Sequence, residues 1–209
     1  MKSRINNEYN TIIFDLGSVL IDWNPRYLYR KIFATEAEMD NFLQNICTSD
    51  WNEEQDAGRS LQEGTEMLIA TYPQHEAHIR AFYGRWKEML AGEIADSVTL
   101  LRQLKESGKY KLYALTNWSN ETFPLALVEF PFLQWFDGIV VSGREKQRKP
   151  YPAFYQLLLD RYQVSAEKAL FIDDNLRNVK AAEQHGIDSI HFIHPEQLKD
   201  ALITKNILN

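Results

Sequence analysis

The stretch Thr11-Ile12-Ile13-Phe14-Asp15-Leu16-Gly17 decides the fold, because it is an apolar run that ends abruptly on a carboxylate and a glycine. Two later stretches have the same form, Tyr113-Ala114-Leu115-Thr116-Asn117 and Leu170-Phe171-Ile172-Asp173-Asp174-Asn175. Such a run is typical of a buried strand in a parallel sheet, and its polar end marks the carboxyl edge of the strand. Ligands of open α/β sheets bind at that edge, so the three polar ends predict a single site.

A fourth stretch, Arg148-Lys149-Pro150, adds a lysine in a polar loop. Charges in such loops are usually only solvated. One fixed ammonium beside the three strand ends would, however, neutralise both a nucleophile and a phosphoryl group in transfer.

Composition limits the classes of protein that this chain fits. Of its 209 residues, 44% are hydrophobic and 25% are charged, which is ordinary for a globular protein. The net charge of −6 argues against general nucleic-acid binding, which needs a basic surface. No apolar run approaches the ~20 residues of a membrane span, and the polar first ten residues do not resemble a signal peptide. The single Cys47 fits a reducing compartment, so we expect a cytoplasmic protein.

The chain alternates unequally between helical and strand patterns. From about residue 22 to residue 92 the pattern is helical, whereas after Gly92 strands alternate with helices. This alternation predicts an α/β fold with a doubly wound, mostly parallel, Rossmann-like sheet. The helical block is too long for a crossover between strands. We therefore expect a sheet domain, residues 1–21 and 93–209, with an inserted all-helical cap domain, residues 22–92.

The carboxylates at the strand ends suggest their own chemistry. Asp15 has the properties of a nucleophile towards phosphorus, and Gly17 lets backbone amides approach an anion closely. The common alternative for Asp15 is to cap the next turn. Asp173 and Asp174 repel each other unless a cation balances them, and such oxygen ligands suit Mg²⁺. Their alternative is a solvated turn at the start of a helix.

Thr116 and Asn117 supply a hydroxyl and an amide at the third strand end. Both side chains are able to hold phosphate oxygens. A role as the cap of the following helix explains them equally well on their own.

Taken together, the four stretches resemble the haloacid dehalogenase-like hydrolase superfamily, in the order in which that family uses them. The resemblance covers nearly the whole chain, including a helical cap directly after the first motif. It implies that Asp15 is the nucleophile and that Lys149 is a catalytic, charge-balancing group that also binds phosphate. It further implies that Thr116, with Asn117 beside it, binds the phosphate group.

The same resemblance implies a Mg²⁺ cofactor. Asp174 would ligate the ion directly, and Asp173 would support it from the first or second shell of ligands. A side-chain oxygen of Asp15 and the backbone carbonyl of Gly17 would complete the protein ligands. Backbone amides near Gly17 would also bind phosphate.

One position departs from the family pattern. Phosphatases of this family usually carry a second aspartate two residues after the nucleophile, as general acid and base, and here that position is Gly17. Loss of a positioned acid or base typically lowers a rate ~10²–10⁴-fold. Bacterial members with an Asp-Leu-Gly type of first motif resemble sugar-phosphate phosphatases. A good leaving group, a bound water or a residue of the cap would compensate for the loss, and Asp22, Asp50, Glu53 and Glu54 are the cap candidates.

Two alternatives to a phosphatase remain. A 2-haloacid dehalogenase also lacks the second aspartate and shares a tyrosine like Tyr155, but Asp173 and Asp174 would repel its carboxylate substrate. A degenerate member would bind a phosphorylated ligand without turnover. Gly17 keeps that reading open, whereas retention of the nucleophile Asp15 argues against it.

We therefore predict a Mg²⁺-dependent, monomeric phosphatase of a small phosphorylated metabolite, expected to be a sugar phosphate. Its mechanism would pass through an aspartyl-phosphate. The stretch Trp51-Asn52-Glu53-Glu54-Gln55-Asp56-Ala57-Gly58-Arg59 is predicted to be a cap loop that dips towards the site and helps to set specificity. Arg59 or Arg26 would be available for a second polar group of the substrate.

Overall fold

The computed structural model describes residues 9–208, and this part of the chain forms seven strands and eleven α-helices. The strands are β1 (Thr11–Phe14), β2 (Ile21–Trp23), β3 (Leu90–Glu93), β4 (Lys111–Thr116), β5 (Gly138–Val141), β6 (Ala169–Asp173) and β7 (Asp188–His191). The helices are α1 (Arg26–Tyr29), α2 (Glu36–Asn45), α3 (Ser49–Asp56), α4 (Leu61–Thr71), α5 (Glu76–Gly84), α6 (Ala95–Ser107), α7 (Phe123–Glu129), α8 (Ser142–Glu145), α9 (Pro152–Tyr162), α10 (Leu176–Gln184) and α11 (Pro195–Thr204). Residues 1–8 and 209, which the sequence analysis assigned to the sheet domain, lie outside the described residues.

Five strands form a wholly parallel sheet in the order β5-β4-β1-β6-β7. β1 is central, with Phe14 opposite Ala114 of β4 and Ile172 of β6. Every residue of β1 and β6 is buried, which explains why both strands read as unbroken apolar runs. The strands alternate with helices along the chain, so the predicted doubly wound α/β fold is confirmed.

The core lies on both faces of this sheet. Ile12 and Phe14 belong to one buried apolar cluster, whereas Ile13 between them belongs to a second. This division follows from the strand geometry, in which successive side chains point to opposite faces. The first cluster continues into the helices α1 to α5 through residues such as Tyr29 and Phe82. The sheet and these helices therefore share one continuous core.

The helices follow local sequence signals. The side chain of Thr35 accepts a hydrogen bond from the backbone of Glu38, whose carboxylate in turn accepts from the Thr35 amide, and this capping box starts α2. Gly108 takes a left-handed conformation (φ +62°) and ends α6. No helix within residues 9–208 is long and apolar enough to cross a membrane.

A two-stranded antiparallel ribbon of β2 and β3 joins the helical segment to the sheet. The prediction of a purely helical pattern from residue 22 to residue 92 was wrong at both ends, because Ile21 pairs with Glu93 and Asp22 pairs with Gly92. Strands of three and four residues are too short to produce a clear alternating pattern. Between them lie α1 to α5, and we call residues 24–89 the helical insertion. The domain boundaries at residues 22 and 92 stay a prediction.

Candidate active site

The carboxyl edge of the sheet gathers the predicted polar residues. Asp15 directly follows β1, Thr116 ends β4 and Asp173 ends β6, and these three strands are neighbours. The backbone amide of Asp15 donates to the carbonyl of Ile172 at 2.8 Å, so the pairing with β6 continues up to this residue. Because parallel strands end at the same edge, three distant parts of the sequence meet there.

Lys149 is fully buried at this edge, between two carboxylates. Its Nζ lies 2.9 Å from Oδ1 of Asp15 and 2.7 Å from Oδ2 of Asp173. Burial lowers the pKa of the Lys149 ammonium, but Asp15 and Asp173 raise it, and the net shift is upward. The lysine therefore stays charged, and it holds Asp15 in place together with the Leu16 amide, which donates to Oδ1 at 2.7 Å.

Asp173 is also held by two residues that follow it, one in the loop after β6 and one on α10. Nδ2 of Asn178 lies 3.1 Å from both carboxylate oxygens, and the Asn175 amide donates to Oδ1 at 2.8 Å. Asn178 is a site residue that the sequence analysis missed. A buried polar residue on α10 five positions after Asp173 is the only sequence signal for it, and burial is not visible in a sequence.

The acidic residues at this edge fit a divalent metal ion. Asp15, Asp173 and Asp174 each offer a carboxylate oxygen, and these atoms lie within 4.8 Å of one another. Burial, followed by the charge of Asp173, raises the pKa of Asp174. Burial also raises the pKa of Asp15, with Lys149 opposing the shift and the other two carboxylates adding to it. A divalent cation would relieve this repulsion, and oxygen is the donor that hard cations prefer.

Thr116 and Asn117 are arranged differently from each other. Thr116 is buried, and its Oγ1 has no hydrogen-bond partner among the described residues. A buried hydroxyl without a partner at a ligand-binding edge points to a ligand. The Asn117 side chain is already engaged, because Nδ2 donates to the Lys149 carbonyl at 3.0 Å and Oδ1 accepts from the Lys149 amide at 2.9 Å. Asn117 thus fixes the lysine loop, and its role towards phosphate stays a prediction.

Gly17 lies two residues after Asp15, with open space where a side chain would point. A Cβ atom added there would meet no atom within 4 Å, and the backbone does not require a glycine. The absence of the family's second aspartate is therefore not enforced by packing. The predicted roles of the Gly17 backbone towards metal and phosphate stay predictions.

Two cavities open beside these residues, between the sheet edge and the helical insertion. The carboxylate cavity is lined by Asp15 and Asp174. The aromatic cavity is lined by Gly17 and by four aromatic rings, those of Trp23, Tyr83, Trp86 and Trp118. The two cavities share Trp23, Asn52, Asp56 and Asn117, so they form two parts of one space.

Ion pairs hold α3 against the sheet edge. Glu53 pairs with Arg177 at 2.6 Å and with Arg148 at 3.5 Å, and Glu54 pairs with Arg148 at 3.1 Å. These contacts place the stretch around residues 51–59 beside the site, as predicted. The prediction that it is a loop was wrong, because its first six residues belong to α3. The same contacts engage two of the proposed substitute acids in ion pairs.

The other residues that were proposed as substitute acids or substrate contacts do not line the two cavities. Asp22 accepts hydrogen bonds from Tyr27 Oη at 2.9 and 3.0 Å, and the exposed Asp50 lines neither cavity. Arg59 donates to Gln55 Oε1 at 2.6 Å, and Arg26 pairs with Glu36 at 2.6 Å. Neither arginine lines the two cavities.

With this geometry in place, residues 9–186 match the family described as haloacid dehalogenase-like hydrolase. The chain belongs to that family. The predicted resemblance is thereby confirmed, and the protein is a hydrolase of this family.

Relatives and solved structures agree with this assignment. A sesquiterpene phosphatase of Aspergillus oryzae is 30% identical over 198 residues, which cover 94% of this chain and 93% of the relative. A phosphorylated carbohydrates phosphatase of Thermotoga maritima is 24% identical, covering 86% of this chain and 83% of the relative. The fold matches a haloacid dehalogenase family enzyme of Bacteroides thetaiotaomicron, solved with magnesium and inorganic phosphate, with a TM-score of 0.66 at 18% identity. That match covers 89% of this chain and 95% of the other.

Proposed function

We propose that this hydrolase is a Mg²⁺-dependent phosphatase that cleaves the phosphate monoester of a small metabolite through an aspartyl-phosphate on Asp15. The observation that carries the proposal is the fully buried Lys149, held between Asp15 and Asp173 with a third carboxylate beside them. An ammonium and a metal together balance a dianionic phosphate and the nucleophile. Two relatives named as phosphatases support the same reaction.

The residues divide the work of phosphoryl transfer. Lys149 neutralises charge on the phosphate and keeps the Asp15 carboxylate oriented for in-line attack on phosphorus. The hydroxyl of Thr116, which lacks a partner within residues 9–208, is free to donate to a phosphate oxygen. When held by Asp15, Asp174 and the carbonyl of Gly17, Mg²⁺ supplies positive charge to the phosphate oxygens. Water then attacks the aspartyl-phosphate and restores Asp15.

Dehalogenation is the less favourable reading of the same site. A 2-haloacid carries its own carboxylate, and the three acidic side chains at this edge would repel it. Tyr155, the residue that favoured a dehalogenase, is buried and donates to the backbone carbonyl of Asn178 at 2.9 Å, which is a packing role. A binding protein without turnover would not need the fixed nucleophile that Lys149 orients.

Two classes of substrate alcohol are candidates for this site. The prediction of a sugar phosphate is supported by the name of the Thermotoga maritima relative. The aromatic cavity favours a second candidate, the monophosphate of an apolar alcohol. Tyr83 Oη and Trp118 Nε1 donate to Asn52 and Thr122 at 2.9 and 3.0 Å, so these rings offer the cavity mainly their apolar faces. The name of the Aspergillus oryzae relative supports this class.

Hydrolysis of p-nitrophenyl phosphate at neutral pH tests the proposed reaction. We expect turnover with Mg²⁺, none with excess EDTA, and none for Asp15→Asn, whereas the exposed Asp96→Asn should behave as the wild type. Absence of turnover in the wild type with Mg²⁺ contradicts the proposal. Chloride release from 2-chloropropionate would then identify a dehalogenase.

The substrate class is resolved by comparing kcat/KM for hexose phosphates and for geranyl monophosphate. A preference for the geranyl ester that is lost in Trp86→Ala supports an apolar alcohol, whereas a preference for a hexose phosphate supports the original prediction. The monomeric state and the cytoplasmic location stay predictions from the sequence.

A further inference from the structure

We propose that Asp56, the last residue of α3, is the general acid and base of this site, in place of the aspartate that the chain lacks at Gly17. This inference rests on the proposed phosphatase function. It assigns the proton transfers to a residue of the helical insertion rather than to the strand that carries the nucleophile.

The position of Asp56 is the first argument. It shares the carboxylate cavity with Asp15 and Asp174, and it shares the aromatic cavity with Gly17. Within the described part of the chain, Asp56 is the one acidic residue that lines both cavities. It therefore lies where the phosphate end of a substrate meets the alcohol end, and this is where the leaving oxygen needs a proton.

A hydrogen-bond relay holds the Asp56 carboxylate in place. Asn52, one turn earlier on α3, donates from Nδ2 to Oδ2 of Asp56 at 3.2 Å. The Oδ1 atom of Asn52 accepts from Tyr83 Oη at 2.9 Å, and Tyr83 Oη accepts from Gln55 Nε2 at 2.9 Å. Gln55 is fully buried and donates to the carbonyl of Trp51 at 2.7 Å. The relay orients the carboxyl group without adding a charge that would fix its protonation state.

The surroundings of Asp56 differ from those of Glu53 and Glu54 on the same helix. Glu53 and Glu54 both form ion pairs with arginines, whereas Asp56 has no ion-pair partner among residues 9–208. Burial, and then the charge of Glu53, raise its pKa to about 7, while the Ser119 amide and the charges of Arg148 and Lys149 oppose the rise. Both protonation states are therefore populated at neutral pH, and a group that alternates between acid and base needs both.

The proton balance of the reaction closes on this residue. As an Asp15 oxygen bonds to phosphorus and the ester P–O bond breaks, the protonated Asp56 gives its proton to the leaving alkoxide, and the alcohol departs. Asp56 is then a carboxylate. It accepts a proton from the water whose oxygen attacks phosphorus, as the Asp15–phosphorus linkage breaks and phosphate is released. Both residues return to their starting states.

The test compares three esters of similar size, p-nitrophenyl, phenyl and benzyl phosphate, on the wild type and on Asp56→Asn with Mg²⁺. The p-nitrophenolate group leaves without a proton, whereas the benzyl alkoxide needs one. We expect kcat/KM of the variant to stay within ~3-fold for p-nitrophenyl phosphate and to fall ~10²–10⁴-fold for benzyl phosphate, with phenyl phosphate between them. Because kcat also includes the attack of water, kcat should fall for all three esters.

Two further measurements separate catalysis from structure. Wild-type kcat/KM for benzyl phosphate should fall as the pH rises above about 7, where Asp56 loses its proton, and Asp56→Asn should lack this limb. Asp50→Asn, at the exposed start of the same helix, is the matched control and should keep both the rates and the pH profile. Thermal unfolding of each variant reports whether it is folded.

The outcome that overturns the proposal is an equal loss of kcat/KM for all three esters in a folded Asp56→Asn, which would mean a binding role. Retention of benzyl phosphate hydrolysis in that variant overturns it as well. Failure of the wild type to hydrolyse p-nitrophenyl phosphate is a separate result, because it contradicts the proposed phosphatase function rather than the role of Asp56. Should Asp56→Asn not fold, Asp56→Glu, which keeps the acid but moves it, is expected to show the same ester dependence in weaker form.

Discussion

Lys149 is the single side chain on which both the stability and the chemistry of the site depend. Its ammonium is fully buried and contacts Asp15 and Asp173, so its removal would leave two buried carboxylates without a cation. We expect Lys149→Met to lower the free energy of unfolding by ~3–5 kcal/mol in EDTA and to abolish hydrolysis. Urea denaturation at neutral pH measures the first effect.

The control for this substitution is the exposed Lys180→Met on α10, which should change the free energy of unfolding by less than ~0.5 kcal/mol. Pairing Lys149→Met with Asp173→Asn should cost less than the sum of the two single changes, because they remove parts of one interaction. A loss below ~1 kcal/mol for Lys149→Met would contradict the buried ion triad.

Thr116 offers the opposite case, a residue whose hydroxyl contributes to function and not to stability. Its Oγ1 is buried and has no partner among the described residues, so Thr116→Val removes no internal hydrogen bond. We expect the melting temperature to stay equal or rise, and kcat/KM to fall ~10–100-fold, as for loss of a hydrogen bond to a charged group. Thr65→Val is the control, because its hydroxyl bonds to the Leu61 carbonyl at 2.7 Å, away from the site. A fall in kcat/KM no larger than that of Thr65→Val would contradict the phosphate-binding role.

Among the elements, the β2–β3 ribbon is the connection through which the helical insertion leaves and re-enters the sheet. Its two strands carry Asp22 and Gly92 opposite each other, and Gly92 has φ +118°, a conformation that other residues rarely adopt. No atom lies within 4 Å of a Cβ added at Gly92, so a substitution there strains the backbone without a clash. A substitution at Gly92 therefore measures the free-energy cost of the strained backbone alone, without a contribution from steric overlap.

We expect Gly92→Ala to lower the free energy of unfolding by ~1–3 kcal/mol, the cost of a side chain in a strained backbone region. Gly84→Ala, at the end of α5, is the matched control. An added Cβ meets open space at both positions, but the φ of Gly84 is not positive. That change should stabilise the protein by up to ~1 kcal/mol. Urea denaturation of both variants makes the comparison, and equal effects would contradict the strain at Gly92.

Some helices and strands could be predicted from the sequence, and others could not. Long periodic segments such as α6 and the buried strands β1, β4 and β6 were predictable, because burial on both faces leaves an apolar run in the sequence. The ribbon was not, because its strands are three and four residues long and one of them contains Gly92. Its pairing is decided by the fold around it rather than by local sequence.

At the scale of the whole molecule, the same contrast applies to the site. Asp15, Thr116 and Asp173 were predictable as neighbours because a parallel sheet brings its strand ends to one edge. The roles of Asp56 and Asn178 were not, since their contacts depend on how the helical insertion and α10 pack against that edge. Only the approach of the stretch that contains Asp56 was predicted. The site also lowers the stability of the whole chain, because it brings several carboxylates close together.

Substitution of Asp174 measures how much the repulsion between the carboxylates of the site destabilises the folded protein. The pKa of Asp174 is raised in the folded protein, by burial first and then by Asp173, so its ionised form is disfavoured by folding at neutral pH. Removing that charge should therefore stabilise the protein at pH 7. The difference should shrink as the pH falls and vanish below about pH 3, where the carboxyl group is mostly protonated in both the folded and unfolded states.

We expect Asp174→Asn to raise the melting temperature in EDTA at pH 7 by on the order of 2 °C, a small shift because the side chain is partly exposed to solvent. With excess Mg²⁺ the order should reverse, since a ligand that binds only the folded state raises the melting temperature of the wild type. The exposed Asp200→Asn, on α11, should change neither value. Two results would contradict this prediction: a melting temperature of Asp174→Asn below that of the wild type in EDTA, or an equal rise of both melting temperatures with Mg²⁺. Either would mean that Asp174 does not belong to a metal site that destabilises the metal-free protein.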